Sequence, residues 1–253
     1  MTQLFALINN FLTARAILLP EYNPFSAVIK KSDTPQLTIE WIMQLTQEFF
    51  ETAKNEYPDF LVRLREIFDA MDRAYNVAAE YYQFYCSGCT DSCCLTRFYH
   101  HTFLEYLYLL TGYQSAAKEK QNEITKRAAT VCRETAAADR QAVRARHMCP
   151  LNFDGLCSLY AYRPMICRMH GIAHELHQPG KAVAFAPGCH VFTERCGRKE
   201  YHPFNRTPFY IELAKLENEF KQAAGIEAKI KMTIAEIVCT FTPQSAGISL
   251  PAG

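Results

Sequence analysis

Between Leu37 and Phe50 the apolar residues Trp41, Ile42, Leu45, Phe49 and Phe50 recur at a spacing that puts them on one face of a helix. A second helix is predicted from Pro58, because proline suits the first helical turn, with Leu61, Leu64, Ile67, Phe68, Met71 and Tyr75 on one side. Thr102 and Glu105 have capping-box spacing ahead of Leu107, Leu109 and Leu110, and Gly112 reads as that helix's stop. From Ser115 to Arg146 there is no proline or glycine, and a narrow stripe of Ile124, Ala128, Val131, Ala138 and Ala142 predicts the longest helix of the chain.

The pattern lapses over residues 149–198, where glycine and proline recur without a sustained period. A compact, loop-rich segment ordered by what it binds is expected there. Helical periodicity resumes at Thr207-Pro208, read as N-cap and N1, with a helix that carries Ile211, Leu216 and Phe220 and has Gly225 as its stop. Thr233 and Glu236 form another capping box, and Ile234, Ile237 and Val238 follow before Pro243. The expected fold class is therefore mostly α: a helical, bundle-like protein with a loop-rich metal-binding segment. Residues 1–35 read as an N-terminal arm punctuated by Pro20, Asn23-Pro24 and Pro35. Residues 36–242 read as one helical domain with its cysteine region at 86–198, and 243–253 as a flexible tail.

Composition narrows this picture. A chain of 253 residues with 49% hydrophobic content can bury a substantial core without covalent staples. A formal net charge of +1 gives no overall pull towards nucleic acid, and the basic residues of the long helix, Lys126, Arg127, Arg133, Arg140, Arg144 and Arg146, are interspersed with Glu123, Glu134 and Asp139. The first apolar stretch, Leu4 to Leu19, is interrupted by Asn9, Asn10, Thr13 and Arg15, which argues against a signal peptide or a membrane span. A cytoplasmic location follows as the expectation, and in a reducing compartment eleven cysteines suit metal ligation better than disulfides.

Four cysteines fall within nine residues: Cys86, Cys89 and the vicinal pair Cys93 and Cys94. Thiolates are soft-metal ligands, and a C-x-x-C step brings two sulfurs to one metal from a single turn of chain. A second set is Cys149, Cys157, Cys167 and Cys189. The Asp154-Gly155 step between the first two favours a tight turn that draws Cys149 and Cys157 together, Pro164 opens a helical turn carrying Cys167, and Pro187-Gly188 bends the chain into Cys189. Cys132 and Cys239 sit in predicted helices beside apolar residues and read as core packing, while Cys196 carries no decisive signal.

With Cys86-Ser87-Gly88-Cys89, Cys93-Cys94, Cys149-Pro150-Leu151, Asp154-Gly155-Leu156-Cys157-Ser158-Leu159-Tyr160, Arg163-Pro164-Met165-Ile166-Cys167-Arg168 and Pro187-Gly188-Cys189, the chain resembles the YkgJ-like cysteine-cluster family. These proteins are described as zinc- or iron-chelating domains with a CxxCxxCC signature. The resemblance covers about residues 86 to 190. Three residues separate Cys89 from Cys93, where the short form of the signature has two. The family includes flagellin lysine methylase-like proteins with an iron–sulfur cluster, so the resemblance implies metal binding and, as an enzymatic expectation, a cluster-dependent modification of a protein or peptide such as lysine methylation.

The irregular spacing, with one C-x-x-C only, suits an iron–sulfur cluster, a 4Fe–4S centre being the favoured form, better than a two-knuckle zinc ribbon. Zinc remains the alternative, in a zinc-stabilised interaction module without catalysis. Near the second set, His170 and His190 are the better candidates for a ligand or proton carrier against the plainer reading of polar loop histidines. Arg163 and Arg168, flanking Cys167, can offset cluster charge, bind an anionic substrate or simply order the loop by a salt bridge. The expected role is redox transfer or a reaction at the cluster, with metal ions and a protein or redox partner as binding partners, and neither membrane nor nucleic acid.

Overall fold

The computed structural model describes residues 49–86, 93–226 and 229–242. Trp41, Ile42 and Leu45 of the first predicted helix lie outside these residues, as do the arm at 1–35, Cys89 and the tail from 243; the described part of that helix runs over 49–56. The chain is mostly α-helical, with two small two-stranded sheets among the described residues. The helices are α1 (Pro58–Tyr82), α2 (Phe103–Ser115), α3 (Lys118–Arg140), the short α4 (Met165–Arg168) and α5 (His190–Cys196), then α6 (Thr207–Ala223) and α7 (Ile234–Phe241). No described helix is long and apolar enough to cross a membrane.

Helix α2 is the centre of the core. Ten of its residues from Phe103 to Tyr113 are buried, so it is apolar all round rather than striped. Around it stand α1 with Leu64, Phe68 and Met71, α6 with Leu213, Leu216 and Phe220, and α7 with Ile237, Val238 and Phe241. Edge-to-face aromatic contacts tie the ends together: Phe50 meets Phe241 at 5.1 Å, and Phe60 meets Phe220 at 5.5 Å. The α2 N-terminus is capped twice. The Thr102 hydroxyl accepts from the Glu105 amide, while the Glu217 carboxylate of α6 accepts from the Phe103 and Leu104 amides.

Two expectations about length give way to tertiary contacts. Gly112 does not stop α2, which continues to Ser115. Its missing side chain instead makes room for Tyr162, because a Cβ there would stand 2.3 Å from the Tyr162 ring. The long helix is also shorter than its composition suggests. It begins at Lys118 and ends at Arg140, and Ala142 then turns the backbone left-handed (φ 53°), so that α1, with 25 residues against 23, is longer.

The loop-rich segment holds the strands. β1 (Asn152–Phe153) and β2 (Leu156–Cys157) form a hairpin whose two connecting residues, Asp154 (φ 52°) and Gly155 (φ 86°), both adopt positive φ. That is the geometry an Asp-Gly step favours. β3 (His174–Leu176) pairs with β4 (Ala184–Ala186), and the chain from there returns at Gly188, where φ is left-handed (90°) and a Cβ would stand only 2.6 Å from the Gly171 carbonyl oxygen.

Candidate metal centre

Cys94, Cys149, Cys157 and Cys167 come from three separated stretches of chain, and all line one cavity of about 570 Å³. Local structure explains each position. Cys94 lies in the 3-10 turn Cys93–Leu95, and its carbonyl accepts the Cys149 amide at 2.9 Å, which joins the first cysteine stretch to the second. The β1–β2 hairpin then returns the chain so that Cys157 sits beside Cys149. Cys167 rides on α4, whose first amide, that of Met165, donates at 2.8 Å to the buried Glu105 carboxylate of α2. The core helix thus holds the turn that carries this sulfur.

These thiols act on one another. Burial pushes the Cys149 thiol well up, and the neighbouring Cys167, Cys94 and Cys157 add to the rise. Burial and the same neighbours push Cys167 up to about 12, with Arg163 opposing. Burial also raises Cys157, Cys94 adding to it. Four thiols so placed resist becoming anions together without a cation among them. Among the described residues no three cysteine, histidine, aspartate or glutamate side chains stand close enough together to hold one ion as placed. The four sulfurs share a cavity wall rather than a closed coordination shell.

The other sequence candidates are distributed around this wall. Cys86 is exposed and lines the cavity. Both Cys86 and Cys189 add to the raised pKa of the Tyr75 phenol, which is due first to burial. The Cys189 sulfur accepts the Phe192 amide at 3.4 Å as the N-cap of α5, and its own amide donates to the Gly171 carbonyl at 2.8 Å. The backbone of Cys93 opens the 3-10 turn, its side chain lying outside the described residues together with Cys89.

His170 lines the cavity against the Phe98 ring, and burial holds its imidazole down at about 4, so it is neutral at ordinary pH. His190 stands on the surface beside Glu194 at 3.1 Å and does not line the cavity. Arg163 lies over the Tyr160 ring, 3.4 Å from its centroid, and donates to the Tyr160 carbonyl. Arg168 is consumed by structure: it is buried, bonds Asp72 at 2.5 Å, and donates to the Arg163 and Ala161 carbonyls. Of the choices open for this residue, the salt bridge that orders the loop is the one seen.

Two residues carry signals that periodicity does not reveal. His100 and His147 line the same cavity, and the Nε2 atom of each is buried without a hydrogen-bond partner. His100 is only 3% exposed, and burial lowers it to about 4. Cys196 is buried and its thiol donates to the Tyr82 carbonyl, away from the cavity. Comparisons with family models, with curated proteins and with solved structures return no match.

Proposed function

We propose that the cavity is a metal centre, with Cys94, Cys149, Cys157 and Cys167 as its principal sulfurs, and that an iron–sulfur cluster is the group it takes. The observation that carries this reading is the convergence of four thiols from three stretches of chain on one cavity. The donor chemistry fits: soft thiols, mutually unfavourable as anions, are stabilised when a cationic centre draws them in. The sulfurs lie on turns and a short hairpin rather than on long helices, so closing them onto a metal orders loop structure without disturbing the core. Cys86, on the cavity wall, and Cys189, off it, both act on the Tyr75 phenol and are left for a second set.

Such a cluster supplies electron transfer or an open coordination position. The chain's own groups supply the surroundings. Arg163 faces the sulfurs as a fixed cation, neutral His170 offers a hydrogen-bonding nitrogen, and the volume beyond the thiols admits a ligand. The space supports a redox or cluster-dependent enzymatic role in a protein resembling the YkgJ-like family. Because four thiols are also the ligand set of structural zinc, a zinc-stabilised interaction module is the second reading.

Purification without oxygen distinguishes the two. Stoichiometric iron and sulfide with visible absorption are expected; a colourless protein with one tightly held zinc supports the module instead. Protein that binds neither, after reconstitution with each, overturns the metal centre altogether.

A further inference from the structure

Outside the four-sulfur group, Cys132 of α3 and Cys239 of α7 face each other with their sulfurs 3.4 Å apart, across 107 residues of chain. Both are half-buried. Among the described residues no other cysteine contributes to the electrostatics of either thiol; the pair interacts with itself and with Glu236. The helices that carry them pack along each other, and both form cavity wall: Val131 and Thr135 from α3, and Ile234 and Ala235 from α7.

We infer that Cys132 and Cys239 are a redox-active pair that closes to a disulfide and ties α3 to α7 beside the sulfur-lined cavity. The sulfurs must close from 3.4 Å to about 2.0 Å, a change that side-chain rotation with a small helix adjustment can supply. Two thiols that merely fill core space have no need to meet sulfur to sulfur. The hydrogen bond from Cys132 holds the Cys239 thiol down, which makes Cys239 the first nucleophile.

The reaction needs a low-molecular-weight disulfide of the glutathione type as oxidant. The Cys239 thiolate attacks one sulfur of that disulfide and displaces one thiolate. Cys132 then gives up its proton and attacks the Cys239 sulfur of the mixed disulfide, displacing the second. Two electrons pass to the small disulfide, which leaves as two thiols, and one protein disulfide is formed. The inference does not depend on metal in the cavity.

The test uses the full chain, equilibrated without oxygen in glutathione buffers of stepped oxidation, quenched with acid and N-ethylmaleimide, and mapped as peptides by mass spectrometry. A Cys132–Cys239 linked peptide is expected, appearing with a single midpoint and reversed by dithiothreitol. The oxidised protein should melt higher by roughly 5–10 °C, given the long loop closed, and Cys132→Ala or Cys239→Ala should each remove that difference. The inference is overturned if both thiols stay open to alkylation in fully oxidised buffer, if Cys239 stops at the glutathione adduct, or if the cross-link forms without raising the melting temperature. Iron, sulfide and zinc content, measured on the same samples, keeps a failure of this pair distinct from a failure of the metal centre.

Discussion

His100 shows how one residue in the wall responds to pH. Its backbone is pinned to that of Met232, its amide donating to the Met232 carbonyl at 2.8 Å and its carbonyl accepting the Met232 amide at 3.0 Å, and its ring is buried with Nε2 unpaired. Its pKa falls from 6.5 to about 4 through burial, with His101 nearby adding a little. The unfolded chain therefore binds a proton that the folded chain refuses between about pH 6.5 and pH 4, and stability present above that window is lost as pH falls through it. The loss is on the order of 2–3 kcal/mol for this group. Denaturant midpoints measured from pH 7 to pH 4 should fall steeply in the wild type and less steeply in His100→Gln; His170, lowered similarly, accounts for a remaining slope. Parallel profiles for the two proteins would remove His100 from this role.

At the scale of elements, the contact between α2 and the turn Tyr160–Tyr162 transmits core order to the site. Gly112 lets that turn lie against α2, and Tyr108 adds a ring contact at 5.1 Å to Tyr162 and donates its hydroxyl hydrogen to the Ala161 carbonyl. In an open helix, Gly→Ala gains up to about 1 kcal/mol. Here the added methyl would overlap the Tyr162 ring, so Gly112→Ala should lower stability by about 1–3 kcal/mol in urea unfolding. Pairing it with Tyr162→Ala should recover part of that loss, and strict additivity of the two substitutions would disprove the contact. Gly112 also marks a limit of sequence reading. A glycine after a leucine run is the commonest helix stop, and only the approach of a turn fifty residues downstream shows that this one is a spacer. The start of α1 at Pro58, the Thr102 cap and the Thr233–Glu236 capping box were legible because each is written within four residues of its own helix end.

For the whole molecule, the division between legible and hidden follows the same rule of distance. The Asp154-Gly155 turn that brings Cys157 back to Cys149 is local and readable; the Cys94 carbonyl reached by the Cys149 amide, and the Cys132–Cys239 encounter, join stretches with no shared pattern. Eleven cysteines looked alike as letters, but the fold separates the described ones by surroundings: Cys86, Cys94, Cys149, Cys157 and Cys167 on one cavity, Cys196 against the Tyr82 carbonyl, and two facing across α3 and α7. That separation makes the metal centre testable by contrast. Cys167→Ser leaves the α4 turn and its Glu105 contact intact, since the bond is to the Met165 amide, yet withdraws a soft donor from the wall. Cys196→Ser removes a buried thiol that faces elsewhere. A ligand bound a thousandfold above its dissociation constant stabilises the folded state by about 4 kcal/mol. Wild type and Cys196→Ser should therefore carry the same metal content and lose melting temperature when chelator is added, whereas Cys167→Ser should carry much less metal and melt alike with and without chelator. A Cys167→Ser protein with full metal content and an undiminished response to chelator would mean that the sulfurs of this cavity are neighbours without a common ligand.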